Sequence, residues 1–431
     1  MNRVLNNVRL AFFPVAYALA GVLIGSTLNR VMIADLGFSA TLVAVFFSIP
    51  LMVSPLRVWV GYQSDAFPVF GKRREPYIAL GALLIAAGIL AITTLIPRGG
   101  DPVLLAGVAL AFVLYGVGRN LGHNTFQALV AERYSGEARS RAATLYEVAT
   151  MLGMVMGAGF IKASLKVYDP QKLVSTALAV AIAVVVLALL GSLGQEEKAN
   201  AAVAAQKARG VPFWQAFKKT VWADPQARIF FVVVVLTFVG TLAQDVLLEP
   251  YGALVLNMAV GETTGLTQYW GIGVLISMLL CGAFLLKAFG SMRVMRVGLV
   301  VSALAFVGPI AAGMAGSVVL LKGSVFVMGL GTGLAGAGLL SGTLAFTSRL
   351  RAGMLVGVWG VANMTGHAFG SLMGGILVDS VRALTGNAFA AYTSVFLFEI
   401  AALATALWLS GRVRLEEAAV VVEEKAAVAA A

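Results

Sequence analysis

Gln244-Asp-Val-Leu-Leu-Glu-Pro-Tyr-Gly252 places two carboxylates directly after the apolar run 229–239, inside a stretch that otherwise reads as membrane. Asp245 and Glu249 are four residues apart, so a continuous helix stacks them on one face. Charges at bilayer depth are rare, turn toward the bundle interior and mark a pathway or a binding site. Pro250 has no N–H to give the carbonyl of Val246, and its ring crowds that carbonyl. The spacing therefore predicts a kink one residue past Glu249 that frees a backbone carbonyl beside the acids. The competing reading is a pair that snorkels to the outer interface: counted from Ile229, Asp245 lies about 24 Å along a core about 30 Å thick.

Working outward, 60% of the 431 residues are hydrophobic, 12% are charged and mean hydropathy is +0.91, which no soluble body of this size covers with a polar surface. Apolar runs of spanning length fall at roughly 10–33, 40–61, 77–96, 103–130, 143–166, 173–193, 228–257, 267–287, 294–315, 318–347, 353–378 and 388–410, which predicts twelve helices. The net charge of +11 sits in short loops between these runs, so it follows the positive-inside rule rather than a nucleic-acid surface. Basic residues such as Arg133, Arg293, Arg296 and Arg412 then place both termini in the cytoplasm. The run after Arg9 continues to Ile33, too long for a signal peptide, and is read as an uncleaved first span. One cysteine, Cys281, and two histidines exclude an intramolecular disulfide and argue against structural zinc.

The expected domains are a six-helix half at 1–193, a cytoplasmic linker at 194–227, a second six-helix half at 228–411 and a tail at 412–431. In the linker, Phe213, Trp214, Phe217, Val221 and Trp222 recur at helical spacing against Lys218 and Lys219, which predicts a helix lying on the inner membrane surface. Asp224-Pro225 supplies an N-cap and a first-turn proline for the seventh span. An internal repeat supports the two halves: Arg139-Ser-Arg-Ala-Ala-Thr-Leu145 matches Arg349-Leu-Arg-Ala-Gly-Met-Leu355, and each precedes a GxxxG pair, Gly153 with Gly157 and Gly366 with Gly370.

Gly61-Tyr-Gln-Ser-Asp65 followed by Gly71-Lys72-Arg73-Arg74 resembles the loop between the second and third spans of the major facilitator superfamily, with a longer insert between its two parts. Its physical logic is an acid at a helix end held by a basic loop. The expected fold class is thus an all-α membrane protein with twelve transmembrane helices in two six-helix halves, of major-facilitator type. Arg57 and Arg119 lie inside spans two and four and need partners, either Asp245 and Glu249 or an acid of their own half, such as Glu147 for Arg119. Asn120, His123, Asn124 and Gln127 form a polar stripe on span four that faces a cavity or another helix. His123 and His367 are read either as packing residues or as axial ligands of a tetrapyrrole metal. Gly331-Thr-Gly333-Leu-Ala-Gly336 matches a dinucleotide fingerprint only formally, because no strand precedes it; Gly329, Gly333, Gly338 and Gly342 are read as helix-packing positions. Neither a Walker loop nor a nucleophile elbow is present, and nothing points to an enzyme.

Leu28-Asn-Arg-Val-Met-Ile-Ala-Asp-Leu36, Pro55-Leu-Arg-Val-Trp-Val-Gly-Tyr-Gln-Ser-Asp65, Arg74-Glu-Pro-Tyr-Ile78 and the opening stretch together resemble the PucC/LhaA family, the bacteriochlorophyll-delivery branch of the major facilitator superfamily. The resemblance marks Asn29, Arg30, Arg57, Asp65, Gln244, Asp245, Glu249 and Pro250 as family-pattern positions. It implies a light-harvesting complex assembly factor that carries bacteriochlorophyll to antenna polypeptides, near pigment-synthesis enzymes. Glycine-lined surfaces on spans five, ten and eleven are expected to provide a groove for the pigment. The alternative is a proton-coupled transporter in which Asp245 and Glu249, close together in a dry site, share a proton. A third reading is a docking scaffold that binds no small molecule.

Overall fold

The computed structural model describes residues 8–53, 68–134, 136–196, 225–345 and 352–413. Arg57, Gly61, Asp65, the linker helix over 213–222 and the tail beyond 413 lie outside the described residues. The helices run in order α1 Val8–Asp35, α2 Ala40–Met52, α3 Glu75–Arg98, α4 Pro102–Arg133, α5 Gly136–Ser164 and α6 Pro170–Ser192, then α7a Pro225–Leu242, α7b Leu248–Leu256, α8 Val260–Phe289, α9 Ser291–Ala315, α10 Val318–Ala345, α11 Ala352–Thr385 and α12 Ala388–Ser410. Ten of the twelve places are filled by helices long and apolar enough to cross a membrane; α2, of which 13 residues are described, and the 34-residue α11 take the others.

Local chemistry sets the helix ends. Asp101 before Pro102 and Asp169 before Pro170 cap α4 and α6, accepting from the N–H of Val103 and of Lys172, with the proline where no N–H is needed. Gly290 and Gly386 follow α8 and α11 at positive φ, a backbone shape that side chains disfavour. At the loop before α3, the Glu196 carboxylate accepts from the N–H groups of Arg73, Arg74 and Glu75 at 2.7–3.1 Å, while Glu75 accepts from the N–H of Glu196 at 2.9 Å. Arg74 pairs with Glu132 of α4 at 2.6 Å and Lys72 pairs with Glu75. The start of the expected linker is thereby tied back to α3, and the basic loop finds its acid on α4.

Packing follows the predicted repeat. In the first half α1 lies on α5 and α6, α3 on α4 and α6, and α2 on α4; in the second α7a lies on α11 and α12, α9 on α10 and α12, and α8 on α10. Glycines make the seams. A Cβ at Gly153 of α5 would meet Val15 of α1 at 2.6 Å, and a Cβ at Gly366 of α11 would meet Phe238 of α7a at 2.7 Å. Gly329 seats Trp270 of α8, and Gly338 seats Met295 of α9. The expectation of a glycine-lined pigment groove on spans five, ten and eleven is corrected here, because these glycines hold neighbouring helices.

The halves meet along α2 with α11 and α5 with α8. Among the described residues, polar contacts between halves cluster toward one end, opposite the end where α1 begins and α12 finishes. Asp379 of α11 accepts from the N–H of Ala40 (3.0 Å) and Thr41 (2.7 Å), a carboxylate at the positive end of α2. Thr27 bonds Thr264 at 3.1 Å, and the Gly261 N–H donates to Lys166 at 3.3 Å. Gly153→Ala is expected to lower the thermal unfolding midpoint in detergent, with a cost of about 1–3 kcal/mol from overpacking, whereas Gly336→Ala, whose Cβ meets nothing within 4 Å, leaves it unchanged or slightly raised.

Candidate functional site

The seventh span breaks before the acids, not after them. α7a ends at Leu242, Ala243–Val246 form a single 3₁₀ turn, and α7b restarts at Leu248. The expected continuous helix with a kink past Glu249 is corrected: Pro250 sits in the first turn of α7b, where its missing N–H leaves no bond unmade. Asp245 thus lies in the turn and Glu249 at the N-terminal end of α7b, whose dipole favours a carboxylate.

Helices from both halves supply the groups the break exposes. Glu399 of α12, fully buried, accepts the N–H of Gln244 at 2.8 Å through Oε1. Asn29 of α1, also fully buried, donates to the freed carbonyl of Asp245 at 3.1 Å and to Glu249 Oε2 at 3.0 Å. Thr267 Oγ1 stands 3.2 Å from Glu249 Oε1 and 2.6 Å from Ser26 Oγ, forming a hydroxyl chain into the second oxygen of the same acid. Two π-helical stretches of α1, Leu23–Leu28 and Val31–Asp35, flank Asn29 and Arg30. Arg30 pairs with Asp35 and donates to the Met258 carbonyl at 3.3 Å.

A cavity of about 220 Å³ lies between the halves beside this break. Gln244, Asp245 and Glu249 line one wall together with His367 of α11, whose Nε2 stands 3.4 Å from Asp245 Oδ2. Arg119 of α4, from the other half, lines the same cavity, as do the aromatic residues Phe47, Phe112, Tyr115 and Trp270. Arg119 makes no ion pair or hydrogen bond among the described residues, so the expected pairing with Glu147 is not formed; both side chains are exposed, Arg119 into the cavity. The structure therefore brings together Asn29, Gln244, Asp245, Glu249, Arg119 and His367, and leaves Arg30 at the rim.

His123 lies apart from the cavity lining, its Nδ1 2.7 Å from the Tyr146 hydroxyl. Its stripe faces helices: Asn120 donates to the Pro50 carbonyl of α2 at 3.2 Å, and Tyr146 belongs to α5. Glu399 was missed although its signal is the one that flagged Asp245, an acid within an apolar run. Thr267 and Ser26 gave no signal of their own, since a hydroxyl in a membrane helix normally bonds its own backbone, and Asp379 follows directly on the apolar run 353–378, where an acid at a span end is unremarkable. Glu399→Ala strips the acceptor from a buried N–H and is expected to destabilise the fold by about 1–3 kcal/mol, seen as a lower unfolding midpoint, while Glu399→Gln keeps an acceptor and loses less.

The sequence profile of the family described as PUCC protein matches residues 27–418. An uncharacterized protein in the puhA-bchM intergenic region of Rhodobacter capsulatus is 32% identical over 422 residues, 94% of this chain and 88% of that protein. Protein PucC of Rhodobacter capsulatus is 30% identical over 421 residues, 93% of this chain and 90% of that protein. The bacteriochlorophyll synthase 44.5 kDa chain of the same species is 30% identical over 412 residues, 92% and 93% of the two chains. Among solved structures, a mutant of the nucleoside transporter NupG superposes with a TM-score of 0.73 at 15% identity, over 95% of this chain and 99% of that one. A bacterial homolog of the human lysosomal transporter Spinster, inward-facing and unoccupied, gives 0.70 at 15% identity over 94% and 96%. Such low identities speak for the fold alone, which is that of the major facilitator superfamily. On a profile match that leaves out little beyond the two termini, the chain belongs to the PUCC protein family.

Proposed function

We propose that this protein is an assembly factor for light-harvesting complexes in a phototrophic bacterium, binding bacteriochlorophyll and delivering it to antenna polypeptides without catalysing a reaction. The observation that carries this reading is the family match over residues 27–418, joined by a relative whose name is bacteriochlorophyll synthase 44.5 kDa chain. The protein sits in the inner or photosynthetic membrane with both termini cytoplasmic, and works beside antenna polypeptides and pigment-synthesis enzymes. At about 220 Å³ the cavity falls below the roughly 300–1,000 Å³ typical of ligand pockets, so a tetrapyrrole with its tail docks on the lipid-facing surface. His123, which lies apart from the cavity lining, supplies an axial nitrogen when a pigment is held there; His367, inside the cavity against Asp245, does not reach it.

A second reading is favoured by the cavity itself: a carboxylate, a histidine and a guanidinium line it between two halves, an arrangement suited to proton-coupled transport of a small solute. Two measurements separate the readings. Protein purified in mild detergent from a phototrophic host is expected to carry a near-infrared bacteriochlorophyll band at a fixed ratio to protein, weakened by His123 substitution, and to bring down antenna polypeptides; a colourless protein without partners sinks the assembly reading. Asp245→Asn is expected to leave antenna assembly intact in cells, whereas loss of a pH-dependent uptake or efflux in that variant would establish transport.

A further inference from the structure

Arg119 is a charge in the described membrane interior without an ion-pair partner. It stands midway along α4, lines the cavity, exposes its side chain there and has neither an ion pair nor a hydrogen bond among the described residues. Arg30, the other arginine near the site, is held by Asp35 and the Met258 carbonyl. The acids from the other half do not fill the role. Glu249 is engaged by Asn29 and Thr267, and Asp245 is engaged by His367 at 3.4 Å. A guanidinium with no ion-pair partner is costly at membrane depth, and the cost falls when an anion meets it.

We infer that the cavity binds a small organic acid, with its carboxylate on Arg119. Guanidinium matches carboxylate in a two-point fork. The aromatic wall of Phe47, Phe112, Tyr115 and Trp270 suits an apolar or aromatic body. Asp245, from the other half and lining the same cavity, accepts a hydrogen bond from an amine or hydroxyl at the far end of the ligand. Asp245 and Glu249 line the same cavity, so a second negative charge toward the far end of the ligand is repelled, and the site favours a monoanion over a phosphate dianion. The volume of about 220 Å³ admits a single-ring or short-chain acid. This site is independent of the pigment reading: a colourless protein that still binds the acid keeps the site and loses the pigment.

The test is isothermal titration of the purified full-length protein in detergent with benzoate, 4-aminobenzoate and 4-aminobutyrate, using 4-aminobenzamide as the uncharged isostere. The expected result is binding of at least one carboxylate, strongest for 4-aminobenzoate, with none for the amide. Arg119→Gln should weaken that binding by roughly 30-fold or more, the loss that follows from removing one partner of a buried charge pair. Arg119→Lys, which keeps the charge and loses the fork, should fall between; it carries the test if thermal unfolding shows Arg119→Gln to be misfolded. The inference is overturned if no carboxylate of the panel binds, if the amide binds equally well, or if affinity is unchanged in the Arg119 variants.

Discussion

A helix broken inside a membrane bares backbone groups that no solvent can serve, and the arrangement around residues 243–247 answers that constraint. The N–H of Gln244 goes to Glu399 from α12, and the carbonyl of Asp245 receives Asn29 from α1. These two partners come from different halves of the molecule, so the break is held by tertiary structure. Pro250 explains why the chain restarts here, since its ring forbids the bond that would have carried α7a onward. Glu249 gains from the restart, because it occupies the first turn of a new helix and accepts from Asn29 at 3.0 Å.

Much of this was legible in the sequence where the physics is local. The span lengths and the GxxxG pairs follow from hydrophobic length and backbone approach, and both reappear in the structure; the Asp224 cap expected for the seventh span lies outside the described residues. The acids of the opening stretch were conspicuous because charge is rare at that depth. The direction of the break was not legible, because it depends on Glu399, 155 residues along the chain from Gln244. The isolation of Arg119 was equally hidden, since whether a guanidinium finds Glu147 is decided by how α4 and α5 pack. The groove expected from glycines failed for a related reason: small residues mark a surface meant for close contact, and here other helices make that contact.

The same two-fold plan organises structure and chemistry. The α5 glycines receive α1 as the α11 glycines receive α7a, so each half presents its first and fifth helices in matched positions. The chemistry is not matched. Among the described residues the first half contributes one guanidinium, and the second contributes Asp245, Glu249 and His367. A symmetric scaffold thereby encloses a chamber whose charged groups of opposite sign come from different halves.

Contacts such as Asp379 with the start of α2 and Thr27 with Thr264 gather at one end of long helices. The 34-residue α11 is about 50 Å of helix axis, so a tilt of about 5° about that end swings its far end by roughly 4 Å. The cluster therefore behaves as a fulcrum with long arms. A small rotation about these bonds would be a large separation at the other end, which ties the width of any opening there to a few hydrogen bonds.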